Sequence, residues 1–122
     1  MSRIAIIEDD EAVRMLYRIK LVQEGFEVVE ARDGLEALSI IETSKPDVVL
    51  LDLMLPRMSG DEVLKIMRSS PWGENIKVVI ITNLAEDEAP DNLRQLGISR
   101  FVVKALHTPS QLVEVVRQVL AT

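Results

Sequence analysis

Five short apolar runs alternate along the chain with stretches whose apolar residues recur at helical spacing. Residues 4–7, 26–31, 47–53, 77–82 and 101–103 read as strands. The third and fourth are almost wholly β-branched or aliphatic, which predicts central strands covered on both faces. Residues 26–31 alternate with Glu27 and Glu30 and predict an edge strand.

The stretches between them carry helix punctuation. Ala12, Met15, Leu16, Ile19 and Val22 fall at helical spacing, with Gly25 as a C-terminal stop. Asp33 and Glu36 have capping-box spacing ahead of Leu35, Leu38 and Ile41, and Lys45-Pro46 ends that helix. Ser59 and Glu62 repeat the pattern before Val63, Ile66 and Met67. Residues 90–96 predict a short fourth helix stopped by Gly97. In the last helix Thr108 is the cap, Pro109 suits the first turn, and Gln111 completes the box. Leu112, Val115, Val116, Val119 and Leu120 follow as one apolar stripe. Five β/α units with short connections predict one α/β domain, a parallel five-stranded sheet with helices on both faces.

Composition narrows the function. The chain has 122 residues, enough to bury its own core, and 48% hydrophobic content argues against disorder. It has no cysteine, which excludes disulfides and thiolate metal sites. The apolar runs are too short to span a bilayer and no targeting segment precedes the first strand. No membrane attachment and a cytoplasmic location are therefore expected. A net charge of −6 without a Lys/Arg cluster argues against direct nucleic-acid binding. Acidic residues concentrate at 8–11 and 86–91. The second run reads as a solvated surface; the first directly follows a buried-looking strand.

In an open parallel sheet, ligands bind outside the carboxyl ends of the strands. Glu8-Asp9, Asp52, Thr82 and Lys104 each close an apolar run there, so residues almost a hundred positions apart would meet in one cleft. Without Cys and with a single His, metal must bind through oxygen. Mg²⁺ suits the set: it takes one or two carboxylates, keeps several waters and shares a phosphate. Glu8, Asp9 and Asp52 are its expected ligands. Asp52 can also attack a phosphoryl group and become an acyl phosphate. Lys104 and the metal would neutralise the phosphoryl oxygens while Thr82 donates a hydrogen bond. Asp10 reads as a helix N-terminal acid, and His107 as exposed filler.

The segments Ile6-Ile7-Glu8-Asp9-Asp10, Asp52-Leu53-Met54-Leu55-Pro56-Arg57-Met58-Ser59-Gly60, Ile80-Ile81-Thr82 and Phe101-Val102-Val103-Lys104 resemble the response-regulator receiver domain of two-component signalling. The resemblance covers essentially the whole chain. It implies a flavodoxin-like (βα)5 doubly wound fold with strand order 2-1-3-4-5, a receiver over residues 1–122, and no output domain within them. It further implies that Asp52 accepts a phosphoryl group from a histidine kinase or histidine phosphotransfer protein. The chain would be a switch rather than an enzyme, catalysing only its own phosphorylation and slow dephosphorylation. Thr82 and Phe101 would form the conformational relay. Output would pass through protein contacts, the chain being a monomer or weak dimer through the fourth helix, fifth strand and fifth helix.

Two positions depart from the family pattern: Ala105 stands where proline usually follows the lysine, and Asn83 where a small residue usually follows the threonine. In receivers the residues two beyond the aspartate and two beyond the threonine flank the water approach; here they are Met54 and Leu84. The alternative within the same fold is a phosphorylation-independent interaction module. A flavin or dinucleotide site is disfavoured because the first turn is acidic and lacks a glycine fingerprint. A phosphohydrolase would need a water-activating group that the cleft does not supply.

Overall fold

Successive side chains of a strand point to opposite faces, and in this protein both faces are packed. The computed structural model describes all 122 residues. In β1 (Arg3–Ile7), Ile4 and Ile6 enter one core layer while Ala5 and Ile7 enter the other. β3 (Val48–Asp52) and β4 (Lys77–Thr82) divide in the same way and are buried almost throughout. β2 (Glu27–Ala31) and β5 (Arg100–Val103) form the edges of an all-parallel sheet ordered β2-β1-β3-β4-β5. The expected order, and the edge position of the second strand, both hold.

α1 (Glu11–Gln23) and α4 (Pro109–Leu120) cover one face; α2 (Gly34–Ser44) and α3 (Gly60–Arg68) cover the other. The helix starts follow local chemistry. Asp10 Oδ1 accepts from Val13 N at 3.0 Å, and Asp33 Oδ1 from Glu36 N at 2.8 Å. Thr108 and Gln111 close a reciprocal capping box. The box expected at Ser59 does not form, because its side chain makes no capping bond. The chain turns into α3 through Gly60 N, which donates to Leu53 O at 3.0 Å.

Three further features stand out, the first two against expectation. α1 buries Tyr17 and Leu21, with Val13 packed beside them, and turns the anticipated stripe outward. Met15, Leu16, Ile19 and Val22 are 42–55% exposed. Arg14 and Arg18 fix that rotation: both pair with Glu30 of β2, and Arg14 also donates to Glu8 O at 2.8 Å.

The fourth helix of the (βα)5 pattern is absent. Two single 3₁₀ turns stand in its place, Glu86–Glu88 and Asp91–Leu93, and only the second lies within residues 90–96. Pro90 holds Ala89 in an extended conformation (φ −76°, ψ 156°), which keeps the two turns from joining into one helix. The face on which a fourth helix was expected is thus built from these turns, β5 and α4.

The third feature anchors that segment. Arg68, at the end of α3, donates to Leu96 O (2.6 Å), Gly97 O (3.1 Å) and Gly73 O (2.9 Å). Gly97 takes φ +74°, which the turn into β5 requires.

Gly60 packs against the backbone of Asp52 and Leu53 so closely that a methyl group would overlap the Asp52 carbonyl. Gly60→Ala should therefore destabilise the fold by on the order of 1–3 kcal/mol, the usual cost of overpacking. Ser59→Ala, which removes no capping bond, should stay within about 0.5 kcal/mol of wild type. Urea unfolding of the two variants measures the contrast.

Candidate functional site

Each of the three inner strands ends in a polar residue that its own strand has carried into the interior. Glu8 follows β1 directly and is fully buried; its N–H donates to Ala31 O at 3.0 Å, which extends the ladder to β2. Asp52 is the last residue of β3, Thr82 the last of β4, and both are buried. Lys104 follows β5 and opens a single 3₁₀ turn, Lys104–Leu106. The 104–105 peptide bond is trans, as all others are.

Lys104 ties three strand ends together. Its Nζ donates to Asp52 Oδ2 at 2.8 Å and forms an ion pair with Glu8 Oε1. The other Asp52 oxygen accepts from Met54 N at 3.1 Å, and Glu8 Oε2 accepts from Asp10 N at 3.1 Å. Glu8 Oε1 is buried and lies against the ammonium without an aligned hydrogen bond. Asp9 is exposed at the mouth. One carboxylate oxygen each from Glu8, Asp9 and Asp52 lies within 4.8 Å of the others.

Burial raises the Glu8 pKa; the Lys104 ammonium and the Asp10 N–H oppose this, and the Asp52 charge adds to it, leaving a net rise. Burial alone would lower the Lys104 pKa, but its bonds to Asp52 and Glu8 outweigh that and raise it. The cleft therefore holds one ammonium against three carboxylates, two of them buried. A hard cation with oxygen ligands fits that deficit.

The strand-end residues singled out in the sequence thus converge, with one distinction. Thr82 Oγ1 accepts only from Leu84 N, at 3.4 Å, and bonds neither Asp52 nor Lys104. Phe101 is half-buried and packs on the α2–α3 side of the sheet. His107 is half-buried rather than exposed, with Nδ1 3.1 Å from Val103 O.

Two contributors escaped the sequence reading. Arg14 holds the Glu8 carbonyl, and Tyr17 is buried within the electrostatic reach of Lys104, Glu8 and Asp52. Burial raises the Tyr17 pKa, with Lys104 opposing. Arg14 and Tyr17 lie one and two turns beyond the Asp10 cap, on a helix fed directly by Glu8-Asp9, and that placement is the only signal the sequence offers.

The comparisons agree with this geometry. A family model of the response regulator receiver domain matches residues 4–117. The polar-differentiation response regulator DivK of Brucella anthropi is 31% identical over 117 residues, covering 96% of this chain and 94% of that protein. The phosphate regulon transcriptional regulatory protein PhoB of Rhizobium meliloti is 36% identical over 117 residues, but the match spans only 51% of its length. Among solved structures, the chemotaxis response regulator CheY4 of Vibrio cholerae superimposes with a TM-score of 0.89 at 25% identity, covering 98% of both chains.

Glu8 supplies a pH test. In metal-free buffer the folded protein holds the Glu8 proton more tightly than the unfolded chain, whose value is 4.5. Its contribution to stability is therefore lost as pH rises from 4.5 through the raised folded value. Glu8→Gln should flatten that part of the stability curve, measured by urea unfolding in chelator between about pH 4 and pH 7. Parallel curves for the two proteins would contradict the assignment.

Proposed function

This chain belongs to the response regulator receiver domain family, and from that premise we propose that it is a phosphorylation-activated signalling switch with Asp52 as the phosphoacceptor. The observation that carries the proposal is the Lys104 bridge between Asp52 and Glu8 at the ends of three parallel strands. The donor is a histidine kinase or a histidine phosphotransfer protein. An Asp52 carboxylate oxygen attacks phosphorus, the bond from phosphorus to the donor nitrogen breaks, and the released imidazole recovers its lone pair and a proton. Glu8, Asp9 and Asp52 are the ligands for Mg²⁺, which when bound neutralises charge on the phosphoryl oxygens.

The protein's own groups account for the remaining work. Lys104 already lies within hydrogen-bond distance of Asp52 and can shift from the carboxylate to a phosphoryl oxygen without crossing the cleft. The Thr82 hydroxyl accepts a single long bond, so turning it toward a phosphoryl oxygen costs little. That turn frees space beside Phe101, whose inward state needs no polar partner, and the packing of residues 84–98 follows. The change is a population shift between two arrangements. On α1, exposed Met15, Leu16 and Ile19 offer the donor an apolar face. Residues 1–122 act as one receiver, and the signal leaves through protein–protein contacts.

Incubation with acetyl phosphate and Mg²⁺ should add one phosphoryl group by intact-protein mass spectrometry. Asp52→Asn, or a chelator with the wild type, should abolish the addition. Stoichiometric labelling of Asp52→Asn would overturn the assignment.

The lifetime of the acyl phosphate should be long. Met54 is exposed and Leu84 half-buried, and neither side chain can orient a water. Orienting or general-base help is worth roughly 10²–10⁴-fold in favourable cases. After donor removal, wild type should decay slowly and a Met54→Asn/Leu84→Glu variant faster. Decay within seconds in the wild type, or no acceleration in the variant, would remove these two side chains from control of the rate.

A further inference from the structure

Glu30 stands on the edge strand β2, yet two arginines of α1 converge on it. Arg14 Nε donates to Glu30 Oε1 at 3.2 Å, and Arg18 donates to both Glu30 oxygens, at 3.0 and 3.1 Å. The other prong of the Arg14 guanidinium, Nη1, donates to Glu8 O at 2.8 Å, and the Arg14 side chain is only 15% exposed. The Glu8 N–H meanwhile donates to Ala31 O, one residue beyond Glu30. β2 therefore grips the Glu8 backbone on both sides, once through its own carbonyl and once through Arg14. The rotation of α1 that seats Arg14 leaves Met15, Leu16, Ile19 and Val22 42–55% exposed, so apolar burial alone does not select it.

We propose that Arg14 is a positioning residue for the metal ligands, held at its working angle by Glu30. The Glu8 carbonyl and the Asp9 N–H belong to one planar peptide unit. Fixing that carbonyl oxygen therefore fixes the direction in which the chain enters Asp9, and Glu8 and Asp9 are presented to Asp52 as a preformed pair. The task suits a planar fork, because Arg14 uses Nε and Nη1 at once; a lysine ammonium is a point donor and cannot reproduce that geometry. The role rests on the reading of Glu8, Asp9 and Asp52 as Mg²⁺ ligands. Charge and positioning make opposite demands here. By charge alone, losing a cation beside a cation site tightens Mg²⁺ binding. By positioning, the same loss weakens it, and outer groups that orient metal ligands are typically worth about 10–100-fold in affinity.

Isothermal titration calorimetry of the unphosphorylated chain with magnesium chloride decides between the two. Arg14→Met should weaken Mg²⁺ binding about tenfold or more. Arg18→Met removes the same charge from the same Glu30 without touching Glu8, and should leave the affinity unchanged or slightly higher. If Arg14→Met does not fold, Arg14→Lys takes its place: it keeps the charge, loses the fork, and should also bind Mg²⁺ more weakly than wild type. In metal-free buffer the Asp9 amide resonance should move in the Arg14 variant and stay near its wild-type position in Arg18→Met. Equal or tighter Mg²⁺ binding by the Arg14 variant, or equal losses in the Arg14 and Arg18 variants, would overturn the positioning role and leave the metal reading standing. Absence of Mg²⁺ binding by the wild type would sink the metal reading itself, and a displaced Asp9 resonance would then record a purely structural tether.

Discussion

An ammonium held between two buried carboxylates must recover the cost of taking three charges out of water. Lys104, Glu8 and Asp52 recover it through short contacts and backbone donors, and Glu8 is left incompletely satisfied. Much of the architecture follows from this. The triad lies where β1, β3 and β5 end, so charge as well as the ladder ties the neighbouring pair β1–β3 to the edge strand β5. α1 is rotated so that Arg14 reaches the Glu8 carbonyl, at the expense of leaving four apolar residues in water. Gly60 allows α3 to approach the Asp52 backbone. With Asp9 at the mouth, the site carries more negative than positive charge.

The strand-end residues were legible in the sequence because each closes an unmistakable apolar run, and parallel topology carries such ends to a common edge. The caps at Asp33 and Thr108 were legible for a similar reason: their chemistry is local. What could not be read depended on choices between near-equal options. α1 is apolar on two sides, so periodicity alone did not decide between a face centred on Tyr17 and one centred on Ile19. The deciding arginine contacts to Glu30 and Glu8 lie outside the helix. At residues 90–96 the spacing suggested a helix, but only the single turn Asp91–Leu93 forms, and Pro90 separates it from the turn before.

The two-layer core bears on how the proposed switch would act. Phe101 belongs to the layer shared by α2 and α3, while its strand neighbour Val102 belongs to the α1–α4 layer. A rotation of the Phe101 ring therefore disturbs one layer and leaves the other packed. That confines change to the surface formed by residues 84–98 and preserves the scaffold that aligns the acids.

The Arg68 clamp sets how that surface can move. Residues 83–96 leave the sheet at Thr82 and are fastened again where Arg68 grips the Leu96 and Gly97 carbonyls. A span pinned at both ends has few kinematic freedoms. It can exchange one internal packing for another, but it cannot swing away or fray. Under the switch proposed above, its response would be a bounded, repeatable displacement, closer to a crank than to a tether.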